Sequence, residues 1–169
     1  MGINKMKKDK GFTLIELVVI IVILGIVALA SMPKTAAQPR VKLEAACQKI
    51  ASDLRYAQQM SLAQQVRFGL SFDSVNEAYF VYRVNVGTAA RDPQTRNNFN
   101  VSFVTLNEFK GIDIASTNFS NKVEFDSVGA PYDGNGSILL SQGVITLQAQ
   151  ATYSRTVRIE AKTGKVSVQ

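Results

Sequence analysis

The chain has 169 residues, 46% of them hydrophobic, which is enough for one packed domain with an appendage. It contains no histidine and a single cysteine, Cys47. An imidazole-assisted nucleophile, a His/Cys zinc site and an intrachain disulfide are therefore excluded, and no enzymatic activity, cofactor or metal is expected. The formal net charge is +6, but Lys5, Lys7, Lys8 and Lys10 against Asp9 supply half of it, and the rest is too small to argue for nucleic acid on charge alone.

Residues 1–10 are polar and basic, whereas from Phe12 to Met32 the only charged residue is Glu16. About 20 apolar residues in a helix suffice to cross a bilayer, so 12–32 is predicted to be a transmembrane helix. The lysines that precede it predict a cytoplasmic N-terminus, with everything after Pro33 on the far side. A secretory signal peptide is a second reading, because Ala28-Leu29-Ala30 supplies an A-x-A site. It would leave a periplasmic binding domain with no anchor. A plain signal anchor is a third. Neither alternative gives Glu16 a purpose, and a carboxylate at the centre of an apolar span costs about 2.5–3.5 kcal/mol on insertion scales.

The run Lys10-Gly11-Phe12-Thr13-Leu14-Ile15-Glu16-Leu17 closely resembles the processing motif of type IV prepilins and pseudopilins. The resemblance implies a leader peptide at 1–11, cleavage between Gly11 and Phe12 by prepilin peptidase, and methylation of the new Phe12 amine. Gly11 fits such a role because it lets a peptidase approach the backbone closely. In that family the glutamate is thought to pair with the terminal amine of a neighbouring subunit. Glu16 would then offset its desolvation and set the register of helices in a filament core. Other pilins or pseudopilins, the peptidase and the inner membrane are the implied partners, and a pilus or pseudopilus is the implied destination.

Gly25 and Pro33 mark a stretch where the helix could bend, since proline removes a backbone hydrogen bond and clashes with the carbonyl of Leu29; equally, Pro33 could simply end the membrane helix. Pro39 is a second break signal. Beyond it Leu43, Cys47, Ile50, Leu54 and Ala57 recur at spacings of four and three, with Lys42, Glu44, Lys49, Asp53 and Arg55 off that stripe. This predicts that 33–65 is the amphipathic half of one long helix, with Cys47 as a small apolar residue in its buried stripe.

Strands are predicted at 66–72 and 78–84, where apolar and polar residues alternate, and near 101–106, 122–126, 137–141, 144–150, 155–161 and 165–168. Turn residues separate the later ones: Gly129-Ala130-Pro131, Asp133-Gly134-Asn135-Gly136, Gln142-Gly143 and Thr163-Gly164. The fold class is therefore α+β: a long N-terminal helix packed on an antiparallel β-sheet domain spanning 66–169. The stretch 85–100, with Arg91 and Arg96, is either an interaction loop or a disordered one.

Within the pilin class, the helix leading directly into strands is similar to the GspH/FimT-type minor pilins and pseudopilins. So are Phe125-Asp126-Ser127-Val128-Gly129 and the closing Val157-Arg158-Ile159 with Gly164-Lys165-Val166. That resemblance implies a minor subunit of a type II secretion pseudopilus or a type IV pilus. Some FimT-like proteins bind DNA through a basic C-terminal patch, which makes Arg155, Arg158, Lys162 and Lys165 the candidate contacts. Arg155 and Arg158 should point to opposite faces of a strand, however, and their spacing departs from the closely spaced arginines of the DNA-binding members. Asp133-Gly134-Asn135-Gly136 has too few acids nearby for calcium and reads as a tight turn.

Overall fold

A computed structural model describes residues 11–30 and 38–169. The chain divides into two compact units, Met1–Ala36 and Ala37–Gln169. The first holds helix α1, Leu14–Ala30, whose 17 residues are apolar apart from Glu16. Among the described residues no helix is long and apolar enough to cross a membrane. Gly25 lies within the helical run of α1, and Pro33 lies outside the described residues.

The second unit begins with helix α2, Pro39–Gln64. Pro39 stands in its first turn, where a missing N–H costs nothing and a fixed φ favours the helix, so it starts α2 and does not break it. Gln65 closes the helix in the left-handed conformation, at φ 55° and ψ 32°. The predicted stripe of Leu43, Cys47, Ile50, Leu54 and Ala57 is buried, joined by Ala46, Ala51 and Ser61. Asp53, read from the sequence as off the stripe, is buried as well at 3% exposure.

Nine strands follow: β1 Phe68–Asp73, β2 Ala78–Arg83, β3 Asn100–Ser102, β4 Ile112–Thr117, β5 Lys122–Phe125, β6 Pro131–Asp133, β7 Gly143–Ala149, β8 Tyr153–Ile159 and β9 Val166–Val168. They form two antiparallel sheets, in the orders β3-β2-β1-β5-β6 and β4-β7-β8-β9. Helix α2 packs against both. Ser61 joins the helix to the first sheet: its hydroxyl donates to the Ala57 carbonyl at 2.9 Å and accepts the Phe68 N–H at 2.9 Å.

Four segments differ from the sequence expectation. Strand β4 was missed because a bulge between Ile114 and Ser116 breaks its alternation. Strand β6 reads as turn in the sequence because it opens on Pro131, which a sheet accepts only where no N–H is needed; β6 is an edge strand of its sheet. The segment 137–141 is not a strand: it folds back on β6 through a bridge between Ile138 and Tyr132 and a 2.9 Å bond from Leu139 N–H to the Pro131 carbonyl. The strand expected at 101–106 stops at Ser102.

The segment 84–99 is ordered. Ala90 N–H donates to the Val81 carbonyl at 2.7 Å, Phe99 N–H to Ala90 at 2.8 Å, and Val81 N–H to Phe99 at 3.0 Å. The Phe99 ring anchors it to α2, lying 5.5 Å from the Tyr56 ring, with Lys49 Nζ 5.1 Å above it.

Candidate functional site

Gly11, Phe12 and Thr13 precede α1 in non-helical backbone, and Phe12 is 77% exposed. Thr13 caps the helix. Its side-chain Oγ1 accepts the Glu16 N–H at 3.3 Å, and its carbonyl accepts the N–H groups of Glu16 and Leu17 at 3.1 and 3.2 Å. Thr13-x-x-Glu16 has the spacing of a capping box, the signal that could have marked Thr13 from the sequence. The cap places Glu16 in the first turn, where the partial positive charge of the helix end favours a carboxylate. Residue 12 then stands about one turn from that carboxylate, at the mouth of the helix.

Nothing about α1 resembles the surface of an ordinary globular helix. From Leu14 to Ile26 every large apolar side chain is exposed by 44% or more, around the whole circumference. A helix apolar on all sides is stable only where something other than water surrounds it. Gly11, Phe12 and Glu16 thus stand at one end of an exposed apolar helix, in which Glu16 is the one charged residue among those described.

The C-terminal cations are not brought together in that way. Arg155 lies on the same face of β8 as buried Val157 and Ile159 and pairs with Glu44 of α2 at 3.4 Å. Arg158 is on the opposite face, paired in register with Val144 of β7 and Ser167 of β9. Lys162 sits in the turn after β8 with φ +65°, and Lys165 is exposed just before β9. The alternation expected from sequence holds, and Arg155 is already engaged by an acid.

Elsewhere the ionisable groups serve packing. Cys47 is fully buried, and burial, helped by the nearby Glu44 charge, pushes its thiol up to about 12; it is inert, as a stripe residue should be. Asp53 accepts from Lys49 Nζ at 2.8 and 3.0 Å and from the Tyr79 hydroxyl at 2.7 Å. Burial raises its carboxyl above the ordinary 3.8 despite those bonds. Glu124 accepts from the Tyr82 hydroxyl at 2.6 Å, and burial, followed by that bond, pushes the phenol well up. Asp133 holds its turn by accepting the Asn135 and Ser137 N–H groups at 3.0 and 2.8 Å. Among the described residues no three His, Cys, Asp or Glu side chains converge as a metal site would require.

Helix α2 laid on two antiparallel sheets, preceded by a wholly apolar helix with a capped acidic first turn, defines an α+β fold of the pilin-like class. Comparison with known proteins bears this out. Residues 6–32 match the prokaryotic N-terminal methylation motif. The fold matches the minor pseudopilin EpsH from the type 2 secretion system of Vibrio cholerae, with a TM-score of 0.52 at 7% identity, over 76% of this chain and 96% of that one. It also matches the type IV minor pilin FimU of Pseudomonas aeruginosa, with a TM-score of 0.52 at 13% identity, over 77% and 90%. No curated protein matches the sequence. Motif and fold together make the chain type IV pilin-like.

Proposed function

We propose that the chain is a minor pilin or pseudopilin: a structural, non-enzymatic subunit of a type II secretion pseudopilus or a type IV pilus. In this reading prepilin peptidase removes residues 1–11, and Phe12 becomes an N-methylated terminus. Residues 12–32 first hold the subunit in the inner membrane, with the N-terminus cytoplasmic and the β-rich unit periplasmic. They then pack among like helices in the filament. Glu16 meets the Phe12 amine of a neighbour, so each charge is neutralised in apolar surroundings that neither could enter alone.

The observation that carries this reading is the combination at α1: an apolar surface exposed on every side, with a single carboxylate on Glu16, whose backbone N–H is capped by Thr13, about one turn from residue 12. A globular role would leave that surface in water. Nucleic acid as a partner gains no support, because Arg155 and Arg158 face apart and Arg155 is paired.

Intact-mass measurement of the protein recovered from membranes tests the proposal. The expected chain starts at Phe12 and carries one additional methyl. A chain starting at Ser31 would establish the secretory signal reading, and one retaining Met1 would establish a simple anchor.

A further inference from the structure

Between the C-terminal half of α2 and the segment 84–91 lies an open cleft of about 330 Å³. Tyr56 and Met60 of α2, Phe68 of β1 and Val86 form its apolar lining, and Arg83 and Arg91 stand on its rim. The antiparallel bridge between Tyr82 and Ala89 ties the strand that carries Arg83 to the segment that carries Arg91.

Neither guanidinium is in an ion pair among the described residues. Among the described residues the ion pairs are Lys49–Asp53 and Arg155–Glu44, and neither reaches this cleft. Asp92 is adjacent in sequence to Arg91, but its carboxylate is turned into its own loop, accepting the Gln94 N–H at 2.8 Å and the Thr95 hydroxyl at 2.9 Å. It lines the neighbouring cleft on the other side of Tyr56. The walls are ordered too, since the Ala90 to Val81 and Phe99 to Ala90 bonds hold the loop in place. An apolar trough lined by two arginines that make no ion pair among the described residues is complementary to one kind of occupant: apolar side chains with carboxylates beside them.

We infer that this cleft is a docking site for an acidic peptide segment, one in which one or two carboxylates flank apolar residues, supplied by a neighbouring protein in the assembly. The inference rests on the filament-subunit reading for the identity of the neighbour, but the chemistry of the cleft does not. Carboxylates meet Arg83 and Arg91 while the intervening side chains cover Met60, Phe68 and Val86. The segment 84–99 is thereby the specificity element of the β-rich unit, and its order in the free chain means that little entropy is lost on docking.

The test uses the full chain in lipid nanodiscs and a fluorescein-labelled, end-capped Asp-Leu-Val-Asp peptide, followed by fluorescence anisotropy. Its Asn-Leu-Val-Asn analogue is the control. The acidic peptide should bind at least about tenfold more tightly than the analogue, and added salt should weaken it, as charge-assisted pairing requires. The R83Q/R91Q variant, which alters two exposed side chains, should bind both peptides equally weakly while keeping the wild-type unfolding midpoint. Equal binding of the two peptides by the wild-type chain would overturn the inference, as would absent binding or discrimination retained in R83Q/R91Q. Hexanoate competing as well as the peptide would overturn it too, by making the cleft a small-carboxylate site. The N-terminal mass of the same preparation reports on the filament reading separately, so the two can fail independently.

Discussion

Gly69 is the position where a single methyl group should do most damage. In register across the first sheet, Glu124 of β5, Gly69 of β1 and Tyr82 of β2 stand in one row. Because Gly69 has no side chain, the Glu124 carboxylate and the Tyr82 hydroxyl meet over it at 2.6 Å. A Cβ at Gly69 would sit far inside contact distance of the Val123 carbonyl oxygen and 3.0 Å from both Cα and Cγ of Glu124. The first two of these atoms are backbone, so no side-chain rotation relieves the clash, and β1 and β5 must separate. Overpacking of that kind costs about 1–3 kcal/mol. Losing the buried Tyr82–Glu124 bond adds about 1–3 kcal/mol, chiefly for a carboxylate left short of donors. Gly69→Ala should therefore cost about 2–6 kcal/mol, a large share of a typical domain's stability. Urea titration of the Ala37–Gln169 unit, followed by tyrosine near-ultraviolet circular dichroism, measures it. Tyr82→Phe supplies the second corner of a cycle, at about 1–3 kcal/mol on its own. In the Tyr82→Phe background the added cost of Gly69→Ala should shrink to the steric part, because the bond is already gone. A Gly69→Ala variant within about 0.5 kcal/mol of wild type, the range of an ordinary surface substitution, would refute the reasoning. Strict additivity of the two changes would also refute it.

Three further outcomes follow from the same geometry. Burial raises the folded-state Asp53 carboxyl above the ordinary 3.8, so the folded chain holds that proton more tightly than the unfolded one. Stability should accordingly fall as pH rises from 3.8 through the raised value, and Asp53→Asn should flatten that part of a urea-midpoint-against-pH curve; an unchanged slope would mean that the titration lies elsewhere. Cys47, buried and with its thiol raised to about 12, should resist an aromatic disulfide reagent at mildly alkaline pH in the native chain and react as one thiol per chain in urea. Glu16→Ala should leave cleavage at Phe12 intact by mass while sharply reducing the subunit's share in isolated filaments; undiminished incorporation would remove the pairing role.

What the sequence revealed and what it hid divide along a physical line. The motif at Gly11, Phe12 and Glu16, the stripe from Leu43 to Ala57 and the alternation in β1, β2, β7 and β8 depend on residues close together in the chain. The turn at Asp133 was legible for the same reason, since Asp133 bonds Asn135 and Ser137. Asp53 was misplaced because its burial depends on Tyr79, 26 residues away. The Glu124–Tyr82 pair spans 42 residues and exists only in this register. Strand β4 was hidden by its bulge and β6 by Pro131, and each becomes intelligible once the sheet around it is known. Neither the second sheet nor the cleft beside segment 84–91 is written in any short window of sequence.

The same line separates what the two units are for. In Ala37–Gln169 several ionisable groups find partners within the unit: buried Asp53 has Lys49 and Tyr79, Glu124 has Tyr82, and Arg155 has Glu44. Satisfied groups of this kind specify a structure and require no further partner. Two exposed surfaces among the described residues stand apart, the apolar surface of α1 with Glu16 and the cleft lined by Arg83 and Arg91. One calls for apolar surroundings that bring a single cation, the other for apolar side chains that bring an anion. In the proposed filament reading, surfaces of opposite charge on separate compact units give the chain the chemistry of a component that is completed by its neighbours. On that argument its function resides in those two surfaces, and the β-rich core serves to hold the second of them in shape.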